Sequence, residues 1–212
     1  MKRIFLTLLA LPFFGLAHAQ KFKFGPKAGV TAASITGRNA PAEIDRKIKI
    51  GAVIGGVAEI KFNDKFSLQP ELLASLQGER YDYRFEWEEG YEDHQDNLDL
   101  IYIQIPVMAR YYFVKGLNVS AGPQLGVLVS AKVRAESQSS DFLVETSQSK
   151  TFDVKDDYKT IDFGANFGLG YDFSNGIFVD ARYTLGLLNI SEFGGPGSIK
   201  NSVIAVSGGF KF

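Results

Sequence analysis

The chain has 212 residues, 45% of them hydrophobic and 13% aromatic, with 22 Gly and no Cys, a length that defaults to one domain. The formal net charge of −1 excludes nucleic acid as a partner held by bulk basicity. The absence of Cys excludes disulfides, thiolate zinc sites and Cys nucleophiles, and 18 Phe and 9 Tyr beside so many glycines favour sheet over helix.

Residues 1–19 read as an address. Lys2 and Arg3 form a positive start, Ile4 to Leu16 is an apolar run too short to span a bilayer comfortably, and Ala17-His18-Ala19 offers small residues to a signal peptidase. Cleavage is expected before Gln20, leaving one exported domain over 20–212 and His94 as its single histidine. No later apolar run is long enough for a helical span, so a membrane-embedded form must be a barrel.

The exported part reads in period two. In the first strand Phe22, Phe24, Pro26, Ala28, Val30 and Ala32 share a face opposite Lys23, Gly25, Lys27, Gly29 and Thr31. In the second, Ile48, Ile50, Ala52, Ile54, Ala58 and Ile60 oppose Lys49, Gly51, Gly55 and Glu59. The third begins at Phe66 and sets Leu68, Leu72 and Leu76 against Ser67, Gln69 and Glu71. The fourth, Leu98 to Phe113, sets Ile101, Ile103, Ile105 and Val107 against Tyr102, Gln104, Met108 and Arg110. Four more follow, beginning near Leu117, Ile161, Ile177 and Asn201. Short turns fall near Asn63, Lys115 and Asn175. Long connections cover about 34–47, 78–97, 131–158 and 189–200. The predicted fold is all-β: an eight-stranded antiparallel transmembrane β-barrel with short periplasmic turns and long extracellular loops. The aliphatic face meets lipid, and the short-chained, Gly-rich polar face fills a narrow lumen. Phe62, Phe66, Tyr111, Phe113, Phe173 and Phe178, all beside the short turns, are expected to form an aromatic belt. Pro70, Pro106 and Pro123 sit inside strands, where bulges or local water are expected.

Several segments resemble the PorT-type "outer membrane protein beta-barrel domain" proteins, a porin family of the Bacteroidetes. They are Phe24-Gly25-Pro26-Lys27-Ala28-Gly29-Val30, Leu68-Gln69-Pro70-Glu71-Leu72-Leu73, Ile105-Pro106 with Tyr111-Tyr112-Phe113, and Ala121-Gly122-Pro123-Gln124-Leu125-Gly126. Phe163-Gly164 through Gly170-Tyr171 and Asp180-Ala181-Arg182-Tyr183 complete the set. The resemblance spans nearly the whole exported chain and implies that the three prolines are family features. It implies a fold and a Gram-negative outer-membrane location, not an activity. Phe210 and terminal Phe212 resemble the C-terminal signal read by the barrel-assembly machinery, although Gly208 and Gly209 fall off the usual glycine spacing.

Charges of both signs are predicted to face inward: Lys27, Lys49, Glu59, Glu71, Arg110, Asp162, Asp180 and Arg182. Buried charge is costly unless paired, so an interior network that plugs the barrel is expected, with Glu71 set against Arg110 on the neighbouring strand. A gap in the network would instead make a narrow ion path. The second long loop is acidic and carries Tyr81, Tyr83, Phe85, Trp87 and Tyr91. The alternation of its aromatics points to strands three and four projecting beyond the membrane as a hairpin. Tyr83, Phe85, Trp87 and Tyr91 are the candidate binding residues, against the plainer reading of a solvated charged loop. Glu88, Glu92 and Asp96 could be read as a divalent-cation set, but their spacing is not that of an EF-hand loop. The Ser- and Gln-rich stretch 137–157 suggests mobility.

No catalytic, cofactor or metal residues are expected. His94 beside Asp93 lacks a placed nucleophile, and neither a G-x-S-x-G turn nor a P-loop is present. The expected function is a closed structural or interaction barrel acting through its extracellular loops, with a small passive channel as the alternative and a loop-borne enzyme as a remote one. The expected partners are outer-membrane lipid and lipopolysaccharide, the barrel-assembly machinery and an extracellular or envelope protein.

Overall fold

The computed structural model describes residues 21–37, 45–87, 90–141, 144–193 and 198–212. The leader 1–19 lies outside them. The described strands are β1 (Lys21–Thr36), β2 (Asp45–Lys61), β3 (Phe66–Trp87), β4 (Gly90–Tyr112), β5 (Leu117–Asp141), β6 (Val144–Asp153), β7 (Ile161–Asp172), β8 (Ile177–Gly186) and β9 (Lys200–Phe210). All pairings are antiparallel. Eight strands close a ring in the order β1-β2-β3-β4-β5-β7-β8-β9, sealed where β9 returns to β1. Closure removes every sheet edge from the ring, which is what a sheet needs where no water can satisfy its backbone.

Strand alternation decides which side chains meet which solvent. Phe22, Phe24, Val30, Ile50, Ile54, Leu72, Phe167, Ile204 and Val206 all stand exposed on the outer wall, while Lys27, Glu59, Glu71, Gln69, Arg110 and Arg182 are buried inside. Apolar outside and polar inside is the reverse of a water-soluble core, and it suits a wall immersed in lipid. No described helix is long and apolar enough to cross a membrane; this barrel would cross with its strands.

Three details depart from the sequence reading. First, the ladders step over the prolines without a bulge. Pairing runs from Val57↔Glu71 to Ile60↔Leu68 past Pro70, from Pro70↔Val107 to Leu73↔Gln104 past Pro106, and from Pro106↔Gln124 to Ala109↔Ala121 past Pro123, each time in unchanged register. A missing N–H deletes a bond but inserts no residue, so the pleat continues in phase. The register shifts lie elsewhere, between Ile48 and Val53 and between Ile101 and Tyr102. The second shift leaves Val129 as the extra residue of β5, so that Leu128 and Ala131 are both buried. Second, Phe178 is not in the belt. It alternates out of phase with exposed Ile177 and Val179 and is fully buried, with the Lys211 ammonium 4.9 Å from its ring centre. The other five belt aromatics are exposed. Third, much of 137–157 is paired backbone: β6 lies along β5 from Lys132↔Asp153 to Asp141↔Val144.

Candidate functional site

The lumen is filled at two levels. The lower level, toward the short turns, is ionic. Glu71 is the hub of one half. Its Oε1 accepts from Arg182 at 2.6 Å and from Gln69 at 2.7 Å, and its Oε2 accepts from Arg182 at 3.0 Å and Lys27 at 3.4 Å. Lys27 also reaches Asp180 at 2.7 Å, and Ser207 donates to Asp180 at 3.0 Å. Asp172 and Glu59 are the hubs of the other half. Arg110 meets Asp172 at 2.9 Å, and Lys211 bridges Asp172 at 2.6 Å and Glu59 at 2.8 Å. The Tyr112 hydroxyl lies between Glu59 and Asp172. Gln69 joins the halves: its carbonyl accepts from Arg110 at 2.7 Å while its amide donates to Glu71. Four cations thus face four carboxylates, and nearly every buried polar atom has a partner. Among the described residues only Asp162 Oδ1 and Arg182 Nε lack one. Balanced, multiply hydrogen-bonded pairs are the form in which buried charge is tolerable.

The upper level is apolar. Ile35, Leu98, Leu100, Tyr102, Leu128, Ala131, Ile190 and Ile199 form a buried cluster with Val133, Val154 and Tyr158 packed against it. Ile190 and Ile199 come from the β8–β9 connection, which is tied over the mouth by backbone bonds: Ile190 N–H to Ile199 at 2.9 Å, Lys159 N–H to Ile190 at 2.8 Å and Glu192 N–H to Asp157 at 3.0 Å. Between the two levels a cavity of about 20 Å³ remains, lined by Thr31, Gln77, Gln104, Gln124 and Thr184 among others. That is room for about one water.

Of the eight inward charges read from the sequence, six join the ionic level: Lys27, Glu59, Glu71, Arg110, Asp180 and Arg182. Lys49 pairs with Asp99 higher up, and Asp162 accepts from Asn201 at 2.8 Å beside Tyr102. Glu71 does not pair with Arg110; Arg182 takes it from the far wall, and Gln69 stands between. Asp172, Lys211, Gln69, Tyr112 and Asn118 were missed as network members. Their signal was available: Asp172, Gln69 and Tyr112 share the parity of Asp162, Glu71 and Arg110 on their own strands, and Asn118 and Lys211 alternate with exposed Val119 and Phe212.

Beyond the ring, β3, β4, β5 and β6 continue as a sheet, with the lower numbers of β2 alongside from Asp45↔Asp82 to Ile48↔Glu79. Asp82 is its ionic hinge, bonded by Lys47 at 2.6 Å and by Arg80 at 2.9 Å; Arg80 continues to Gln95 at 2.7 Å. Partial burial works against the Asp82 carboxylate, but the Arg80 and Lys47 hydrogen bonds hold it below the usual range. The hairpin carries Tyr83 opposite His94, Phe85 opposite Glu92 and Trp87 opposite Gly90, while Tyr91 faces Glu86, out of phase with the other three. Glu88 of the suggested cation set lies outside the described residues, and among the described residues no three His, Asp or Glu gather as metal ligands. Among the described residues β6 pairs with β5 alone, and its residues 148–153 are exposed on both faces.

The model of the "Outer membrane protein beta-barrel domain" family matches residues 18–192. The chain belongs to this family. It is an integral β-barrel of the outer membrane, and its aliphatic wall is the lipid-facing surface. Among solved structures, this family member is similar to Ail, the attachment invasion locus protein of Yersinia pestis, at 15% identity, covering 91% of this chain and 99% of that one with a TM-score of 0.44. It is similar to Neisserial surface protein A at 13% identity, 91% and 99% coverage and a TM-score of 0.46. For OprG from Pseudomonas aeruginosa the values are 12%, 90%, 95% and 0.40. A search of curated proteins finds no match.

Proposed function

We propose that the barrel is a closed, non-enzymatic anchor that acts through its extracellular sheet. The observation that carries this reading is the filled lumen. An ionic level and an apolar level leave a cavity of about 20 Å³ between them, far less than a hydrated ion needs, while β3–β6 hold ordered backbone beyond the ring. The free edge of β6 and the aromatic hairpin residues Tyr83, Phe85, Trp87 and Tyr91 are the contact surface for an extracellular or envelope protein. An exposed strand edge offers backbone hydrogen bonds to an extended segment.

In this reading the interior charges are structural, residues 1–19 are a cleaved signal peptide, and 20–212 form the barrel domain of a PorT-type protein of the Bacteroidetes. Phe210 and Phe212 present the assembly signal, and lipopolysaccharide surrounds the outer leaflet. Planar-bilayer conductance of the refolded protein, with folding verified by a heat-dependent gel shift, is the direct test. A silent, heat-modifiable barrel supports the closed anchor. Discrete, reproducible conductance steps overturn it and make the protein a channel.

A further inference from the structure

The end of the barrel opposite the extracellular sheet has a site of its own. A vestibule of about 690 Å³ opens at the short-turn end, lined by Lys23 of β1, Lys61 of β2, Asp64, the β4–β5 turn from Tyr112 to Gly116, and 171–174. That volume lies in the range that holds a small ligand or a few residues of peptide. Its floor is the ionic level, where Tyr112 and Asp172 are already engaged and the charges balance. Its rim is different. Among the described residues Lys23, Lys61 and Lys115 have no carboxylate partner, and of the two acids lining the vestibule Asp172 is already paired with Arg110 and Lys211 in the floor, which leaves Asp64 as the acid of the rim. The Lys61 ammonium is parked 4.4 Å from the centre of the Tyr112 ring. Every cation of the lumen below is ion-paired, so the three free lysines stand out. Phe113, Val114 and Phe173 set apolar surface beside them.

We infer that this vestibule binds an acidic peptide segment of a periplasmic partner. Its carboxylates would take the three ammonium groups and its apolar side chains would lie on Phe113 and Phe173. A rim of three lysines and one acid above a charge-balanced floor attracts anions over a Debye length and more weakly as salt rises. The opening lies across the barrel axis, among the turns, whereas lipid headgroups pack around the outer wall; this favours a peptide over a phospholipid.

The experiment uses the full barrel in zwitterionic nanodiscs and a fluorescein-labelled hexaglutamate peptide, read by anisotropy. Saturable binding that falls with salt, and weakens about tenfold in the K23Q/K61Q/K115Q variant, is the expected result. The gel shift of that variant confirms that it still folds, since none of the three lysines belongs to the ionic level. Absence of saturable binding, or binding unchanged in the variant, overturns the inference. Equal displacement by millimolar inorganic phosphate, or peptide binding abolished by added phosphatidylglycerol vesicles, reassigns the lysines to phosphate and overturns it as well. Conductance and extracellular binding are untouched by these substitutions, so failure here leaves the closed anchor standing.

Discussion

Replacing Glu71 by Gln should be among the most damaging isosteric changes available to this barrel. The carboxylate has no solvent-exposed side-chain area, and it holds both Nη atoms of Arg182, at 2.6 and 3.0 Å, as well as Lys27 at 3.4 Å. Arg182 cannot lose its proton, its Nε has no partner, and its side chain is only 7% exposed. Removing the charge therefore strands a buried guanidinium. Two charge centres about 4 Å apart attract by about 4 kcal/mol at an effective dielectric constant near 20, and breaking one side of a buried pair costs ~3–5 kcal/mol in measured cases. Urea unfolding of the barrel refolded in micelles, followed by far-UV circular dichroism, should show E71Q destabilised by that amount. The E71Q/R182Q double variant should recover part of it. In a double-mutant cycle the Glu71–Arg182 coupling should exceed the Glu71–Arg110 coupling, which runs only through Gln69. An E71Q barrel within about 0.5 kcal/mol of the parent, or a larger coupling to Arg110, would refute the assignment of Arg182 as partner.

The apolar level offers a second test: Leu100→Ala empties a fully buried site in the mouth cluster and should cost ~2–5 kcal/mol in the same titration. Gly78 has φ +133°, and a Cβ there would lie 2.0 Å from the Leu98 carbonyl oxygen. Gly78→Ala should therefore lower the temperature of the gel-shift transition, and an unchanged transition would show that the backbone can relax. Asp82 has a lowered pKa in the folded sheet, so its contribution is complete above the unfolded value of about 3.9 and is lost as pH falls through the folded value. Amide-exchange protection factors at 79–82, measured by NMR and corrected for the intrinsic pH dependence of exchange, should fall over that acid interval and hold steady from pH 5 to 8. Deleting 84–95 should leave a heat-modifiable barrel, because the ring pairs below that point are independent of it; failure to assemble would make the hairpin part of the folding unit.

The strands and their faces were legible because lipid and lumen impose opposite demands on successive residues, and a period of two records this directly. Phe178 shows the limit of reading by position alone: it neighbours a turn, yet its parity on β8 points it inward. The charge partners were much less legible. Glu71 lies opposite the Pro106 position and Arg110 opposite Ser67, about 14 Å apart along the strand direction at ~3.4 Å per residue. Arg182 approaches across the lumen from a strand 111 residues away, and that meeting depends on the stagger of the closed sheet, which no single strand encodes. The apolar level was missed for two reasons. The extra residue Val129 changes the phase of β5, and Ile190 and Ile199 belong to a connection with no period to read. The pairing of β6 was hidden by its Ser-, Gln- and charge-rich composition, in which Val144, Thr146, Thr151 and Phe152 are too scattered to set up a sustained alternation.

The strands are very unequal in length. β3, β4 and β5 run 22, 23 and 25 residues, whereas β7 and β8 run 12 and 10. About 9–11 tilted residues suffice to cross the membrane, so the short side ends near the lipid surface while the tall side continues about ten residues further, a reach of roughly 30 Å. The protein therefore has a front and a back when seen from outside the cell. A particle arriving over β7 and β8 finds the capped mouth at the level of the lipid, with a wall standing behind it. One arriving from the other direction meets the outer surface of β3 and β4 first. Contact from outside is therefore directional, although the embedded ring itself is closed on every side.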